Sequence, residues 1–489
     1  MSDELRTKTT TAFGWAVGGQ LSNQIIGFVI TLVLARLLTP KEFGLASLVM
    51  VVNLIGQVFI DAGISSGLIR KKTVNDTELS SFFYLNVIIG VFLMLLVFLT
   101  SSIIAGIFES ENLAPLLQLS SVQFFISSLG LMPMVFLKRD IDFRFLSQLD
   151  VGINVTSGII TIILALLGFG VYSLIFRSIV SGLINVWFLW KKTPWRPGWV
   201  FSYSSIKPTL NYSTGILGIG IVNIVSEKFS TILIGKFFSI ATIGIFERAA
   251  NTRGLILKNF GPLFNKVFFP VLSKIQDDEV RLRSYYLKAI QMVSLLVVFS
   301  MAILFLFSDT LIYYLYGKQW MEAAPMLKVL CLAGLVLPIS NINLNLFMVK
   351  GKSRFLMSYE FGKHIISAII MLIAISFGMK SFLYSLVGIA YLFFFMNITL
   401  TYIKFNFSIQ DQLLAFASKL APALILVLII EYVILPNTAS LKYALVVAPL
   451  FAIAYFTVAF LMDKELFFLI KKMVEPKFRQ ITKRIAYYF

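Results

Sequence analysis

Between residues 227 and 258 the chain sets Glu227, Lys228, Glu247, Arg248, Asn251, Arg253 and Lys258 among largely apolar neighbours. At about 3.6 residues per turn, Glu247, Asn251, Gly254 and Lys258 share one helical face, with Arg248 and Arg253 on its flanks. Cations so spaced can hold an anion, because a guanidinium grips phosphate bidentately and an ammonium adds a point charge. Carboxylates in a low dielectric do the reverse, since binding a cation relieves the cost of their charge. On these grounds Arg248, Arg253, Lys258, Lys228 and Lys363 are candidates to bind an anion. Asp61, Glu227 and Glu247 are candidates to bind a proton or Na⁺. The alternatives are structural: an internal ion-pair ladder along the same face, Asp61 or Glu227 paired with a neighbouring Lys or a helix N-terminus, and Lys363 with His364 as a helix-end pair.

Catalytic and metal chemistry find little support. A single cysteine, Cys331, permits no internal disulfide, and a single histidine, His364, permits no histidine metal cluster, so neither a metal nor a cofactor is expected. Asp140-Ile141-Asp142 imitates the DxD of metal-dependent glycosyltransferases. It lies, however, between Lys138, Arg139 and Arg144 in a short joint, with no nucleotide-binding domain around it, and no catalytic residue is assigned.

Composition dictates the elements that must carry these groups. With 58% hydrophobic residues, 13% charged residues and a mean hydropathy of +0.87, the 489 residues cannot hide their apolar surface in one water-soluble core. Hydrocarbon about 30 Å thick needs roughly 20 apolar residues as helix. The apolar runs here are continuous rather than alternating, which excludes an outer-membrane barrel. The expected fold is an all-α integral membrane protein of about fourteen transmembrane helices. The first two span 12–35 and 43–67, the seventh and eighth 212–235 and 238–262, and the last two 413–435 and 443–462.

Orientation follows from the loop cations. The even-numbered joints carry eighteen Lys and Arg and the odd-numbered joints six, which places the even joints and both termini in the cytoplasm. Most of the formal net charge of +18 is accounted for in this way, and residues 463–489 form a basic tail suited to the anionic inner leaflet. A nucleic-acid partner is unnecessary to explain the charge.

The chain also repeats itself. Thr31–Ala46 (TLVLARLLTPKEFGLA) and Thr231–Phe246 (TILIGKFFSIATIGIF) align at an offset of 200, with Thr31 on Thr231, Arg36 on Lys236, Thr39 on Ser239 and Gly44 on Gly244. The second copy begins six spans after the first, so both cross the membrane in the same direction. Two six-helix halves, 1–200 and 201–405, related by a pseudo-twofold along the membrane normal, are expected, with two peripheral helices over 406–462.

Four stretches carry a resemblance: Val33–Leu45 (VLARLLTPKEFGL), Phe136–Phe145 (FLKRDIDFRF), Leu233–Ala249 (LIGKFFSIATIGIFERA) and Leu315–Gly334 (LYGKQWMEAAPMLKVLCLAG). The chain resembles bacterial polysaccharide flippases of the multidrug/oligosaccharidyl-lipid/polysaccharide exporter superfamily, in the exopolysaccharide and lipopolysaccharide export branch. The resemblance implies alternating-access movement of undecaprenyl-pyrophosphate-linked oligosaccharide from the inner to the outer leaflet of the cytoplasmic membrane. Its implied partners are membrane lipids, a polysaccharide polymerase and export machinery. It also implies an acidic residue where this chain has Ser230, with Glu227 one turn earlier as the candidate for that role. A cation-coupled multidrug antiporter of the same architecture is the alternative. A membrane enzyme would need large outward loops bearing catalytic side chains, and the outward joints here are short.

Overall fold

The computed structural model describes residues 3–71, 73–140, 142–434 and 441–468. Most residues of the expected basic tail, Lys471 and Arg484 among them, lie outside the described residues. No strand occurs among the described residues, and the chain packs as two compact units, Met1–Glu247 and Arg248–Phe489. The first unit holds α1 (Asp3–Leu37), α2 (Pro40–Asp61), α3 (Ile64–Arg70), α4 (Asp76–Ile107), α5 (Leu113–Arg139), α6 (Phe143–Leu166), α7 (Val171–Lys192), α8 (Tyr203–Phe237) and the first turns of α9 (Ile240–Lys274). The second holds the rest of α9, then α10 (Glu279–Leu306), α11 (Ser308–Tyr316), α12 (Ala323–Gly334), α13 (Leu337–Val349), α14 (Ser353–Ile375), α15 (Met379–Phe405), α16 (Ile409–Ile429) and α17 (Leu441–Met462).

Among the described residues, thirteen helical segments are long and apolar enough to cross a membrane, α2 with α3 counting as one and α12 with α13 as another. The eighth expected span, α9, is long enough at 35 residues, but its charges keep it out of that set. The protein is a multi-pass membrane protein.

The helices turn large apolar side chains outward as well as inward. Along α4, Ile88, Phe92, Leu99 and Ile103 are exposed, while Asn86, Gly90 and Ser101 are buried. Large apolar side chains are at no disadvantage against lipid, so the packed face goes to small and polar residues that let backbones approach and bond. On the α4–α5 seam Asn86 Nδ2 donates to Ser128 O (3.2 Å) and Gln118 Nε2 to Ser101 Oγ (3.1 Å). A Cβ at Gly90 would lie 2.6 Å from that of Ser128.

Within the first unit the repeat takes physical form. Helices α1 and α8 are each 35 residues, covering 3–37 and 203–237, and α2 and α9 then begin at Pro40 and Ile240. Thr39 and Glu42 close a capping box on α2: Glu42 N donates to Thr39 Oγ1 (3.3 Å) and Thr39 N to Glu42 Oε2 (2.7 Å). At the equivalent place on α9, Thr242 N donates to Ser239 Oγ (3.2 Å). The two helix starts then meet backbone to backbone. A Cβ added to Gly44 would collide with the carbonyl oxygen of Ile240, and one added to Gly244 with that of Pro40. Both members of one contact are offset by 200 from those of the other, a reciprocity that a local twofold axis produces.

The second unit is knit by buried polar groups. Tyr286 hydroxyl on α10 lies 2.7 Å from Asn343 Oδ1 on α13 and 2.8 Å from Gln412 Oε1 on α16. Lys419 on α16 is wholly buried and donates to Asp463 Oδ2 at 2.9 Å. Arg283 on α10 pairs with Asp411 at the start of α16.

Gly44→Ala and Gly244→Ala should each destabilise the protein by about 1–3 kcal/mol, because a carbonyl cannot rotate away as a side chain can. Gly218→Ala, with open space around its Cβ, is the control and should change little. Thermal unfolding in detergent measures this, and equal midpoints for all three would show that the contact carries no constraint.

Candidate functional site

Three of the expected site residues come together where α8 faces the first turns of α9. Lys228 Nζ lies 3.9 Å from Glu227 Oε1 and 4.0 Å from Glu247 Oε1, and Thr231 Oγ1 donates to Glu247 Oε1 at 2.5 Å. Lys228 and Thr231 are three residues apart, so the helical period places both toward α9. Glu227 extends from the cluster with 66% of its side chain exposed, whereas Lys228 and Glu247 are largely covered. Two carboxylates and a hydroxyl around one ammonium make an electrostatically acidic cluster. The cation shown within it is Lys228.

Asp61 serves the backbone. It is the last residue of α2, followed by Ala62 and Gly63 in left-handed conformations (φ 41° and 71°), and its Oδ1 accepts from Ser65 N (3.2 Å) at the start of α3. A helix start leaves several N–H groups unpaired, and a carboxylate there meets both the hydrogen-bonding need and the positive end of the dipole. Asp61 is exposed and forms none of the ion pairs among the described residues.

Residues 248–258 belong to the second unit. The open face of α9 carries Asn251 and Lys258, both exposed, and the Lys258 side chain lies back over Gly254, its Cε 3.7 Å from where a Cβ would be. Arg248 departs from the expectation of a cavity-lining cation. It is only 4% exposed, with its guanidinium 4.9 Å from the ring centroids of both Tyr316 and Trp320. Those rings belong to the Tyr-Gly-Lys-Gln-Trp stretch, where Gly317 (φ 103°) turns the chain so that both close on the same cation. Thr252 Oγ1 adds a 3.0 Å contact to Tyr316 hydroxyl, and Arg253 Nη1 reaches Leu330 O at 3.4 Å. Lys363 likewise is satisfied internally, donating to Glu360 Oε1 at 2.6 Å and lying 5.2 Å and 5.1 Å from the rings of Tyr359 and Phe393. Cations held this way are spoken for by carboxylates and aromatic faces rather than presented to a ligand.

Two further motifs have structural uses. Asp142 caps α6, accepting from Phe145 N at 3.1 Å. In the joint after α7, Trp195 is buried against Trp190 and Phe136, whereas Trp199 is 95% exposed.

One polar group was not assembled by sequence reasoning. Arg177 Nη2 on α7 donates to Asn154 Oδ1 on α6 (2.8 Å), and Asn154 Nδ2 donates to Asn23 O (3.0 Å) and Asn23 Oδ1 (3.3 Å) on α1. The sequence marks Arg177 as an intramembrane charge, but two asparagines 131 residues apart give no signal of their own.

Arg248→Ala should lose about 2 kcal/mol or more of stability, since it forfeits a desolvated cation–π clamp and leaves a void between two rings. Lys258→Ala, exposed, should stay within about 0.5 kcal/mol of wild type. Denaturation in detergent reads both, and equal losses would mean that Arg248 is not clamped.

Comparison with known proteins places this geometry in a family. The profile of a family described as "Polysaccharide biosynthesis protein" matches residues 33–325. The chain is 25% identical over 357 residues to "Lipopolysaccharide biosynthesis protein WzxC" of Escherichia coli (strain K12), covering 71% of each chain. It is 26% identical over 403 residues to "Teichuronic acid biosynthesis protein TuaB" of Bacillus subtilis (strain 168), covering 81% of this chain and 80% of that one. In fold it is similar to "Lipid II flippase MurJ, inward closed conformation", with a TM-score of 0.74 at 16% identity over 92% of this chain and 99% of that one. With a match across more than half its length, this chain belongs to the polysaccharide biosynthesis protein family.

Proposed function

We propose that this protein is a flippase of the bacterial cytoplasmic membrane that carries undecaprenyl-pyrophosphate-linked oligosaccharide from the inner to the outer leaflet by alternating access. The observation that carries the reading is a fold similar to a lipid II flippase over 92% of the chain, joined to a family concerned with polysaccharide biosynthesis. Such a cargo joins a dianionic headgroup to many hydroxyls, neither of which enters hydrocarbon unpaired. The protein must therefore supply cations and a wet path.

Two halves, 1–200 and 201–405, rock against each other in this mechanism, and the reciprocal approach of Gly44 and Gly244 is the contact that supports such an axis. Both termini face the cytoplasm, as the loop cations suggest. Lys258 and Arg253 supply positive potential to the cargo, and Lys228 contributes while held by Glu247. Arg248 and Lys363 brace the helices that carry the others. Glu227 and Glu247, with Asp61 as a capping carboxylate, are the groups through which a proton or Na⁺ would couple. Membrane lipids surround the protein, and a polymerase and export machinery would receive its product.

In proteoliposomes loaded with lipid-linked oligosaccharide, the protein should bring glycan within reach of an outside-only glycosidase. Arg253→Ala should slow this about tenfold if a charge-assisted contact is lost. Transport of cationic drugs with no glycan movement would overturn the reading in favour of an antiporter. For coupling, Glu247→Gln and Glu227→Gln should bind cargo normally and respond less to an imposed proton or Na⁺ gradient. An unchanged gradient response in both variants removes the α8–α9 cluster from the mechanism.

A further inference from the structure

Arg177 differs from four of the intramembrane lysines in what surrounds it. Lys228, Lys328, Lys363 and Lys419 each lie within 4.0 Å of a carboxylate. Arg177 forms none of the ion pairs among the described residues, and its hydrogen-bond partner is the neutral amide of Asn154. Arg177 lies about 9 Å from the Val171 end of α7 at 1.5 Å per residue, and its bond to Asn154 turns the guanidinium away from that end. Asn154 sits near the middle of the 24-residue α6, about 18 Å from the Leu166 end at 1.5 Å per residue, so the guanidinium is drawn toward the bilayer midplane.

The asparagines fix that direction. Both N–H groups of Asn154 are taken by Asn23 O and Asn23 Oδ1, which leaves Asn154 Oδ1 aimed at Arg177. One acceptor engages one of five guanidinium donors, so most of the fork stays available. Arg177 is neither fully buried nor on the surface, and a half-covered cation at this depth has to face water or an anion rather than lipid. An aspartate at position 154 would have cancelled the charge; an amide holds the fork in place and leaves the charge intact.

We propose that Arg177 is an anion-binding residue of the first unit, that its ligand is the pyrophosphate of the lipid-linked cargo, and that Asn154 and Asn23 are positioning residues. The proposal rests on the flippase reading for the identity of the anion.

Equilibrium binding of undecaprenyl pyrophosphate and of uncharged undecaprenol to the full chain in nanodiscs tests it. Wild type should prefer the pyrophosphate by about tenfold or more, as expected for charge-assisted contacts. Arg177→Gln should abolish that preference with undecaprenol binding unchanged, and Arg177→Lys should keep part of it. Asn154→Asp places a carboxylate against the guanidinium and should abolish the preference at undiminished thermal stability. A merely bracing Arg177 would keep its preference in Asn154→Asp, which overturns the proposal even if Arg177→Gln folds poorly. Full preference in Arg177→Gln overturns it while leaving the flippase reading intact. No preference in wild type overturns the pyrophosphate-cargo reading itself, and this assignment with it.

Discussion

Inside about 30 Å of hydrocarbon a charged side chain must be paired, clamped or wetted, because leaving it bare costs several kcal/mol. Among the described residues the intramembrane cations differ in how they meet those conditions. Lys419 is wholly buried and carries its own carboxylate, Asp463. Lys363 has Glu360 and two rings, and Arg248 has the rings of Tyr316 and Trp320. Arg177 has only an amide. That difference in partnering, more than the count of charges, separates groups that hold the helices together from groups that can meet a ligand.

The same scarcity of water shapes the packing. Lipid gives no hydrophobic drive to bring helices together, so their seams rely on close backbone approach and interhelical hydrogen bonds. Gly90 against Ser128 is such an approach, and Gly44 with Gly244 is the extreme one, where only the absence of a Cβ lets two helix starts touch.

The acidic cluster of α8 and α9 and the aromatic clamp on Arg248 are neighbours in sequence with opposite characters. Glu247 and Arg248 are consecutive, yet the helix turns the first toward Lys228 and Thr231 and the second into a pocket of two rings. One turn further Asn251, and about three turns further Lys258, emerge on the open side. A single helix can thus carry an acidic cluster, a packing anchor and an exposed charge, because successive side chains point about 100° apart.

Hydropathy alone determined the membrane class, the helical architecture and nearly every span, since the cost of unpaired backbone groups in lipid leaves few other solutions. The 200-residue offset was legible for a similar reason: Thr39, Gly44 and their counterparts Ser239 and Gly244 answer to local demands, a helix cap and a close approach, that leave their mark residue by residue. Charge was visible too, but its use was not. A sequence shows that Arg248, Arg253 and Arg177 lie in apolar runs; it cannot show that Tyr316 and Trp320, about seventy residues away, close on the first, or that Asn23 and Asn154 converge on the last. Pairing energies depend on distances of a few ångströms between helices, and those distances are decided only when the helices pack.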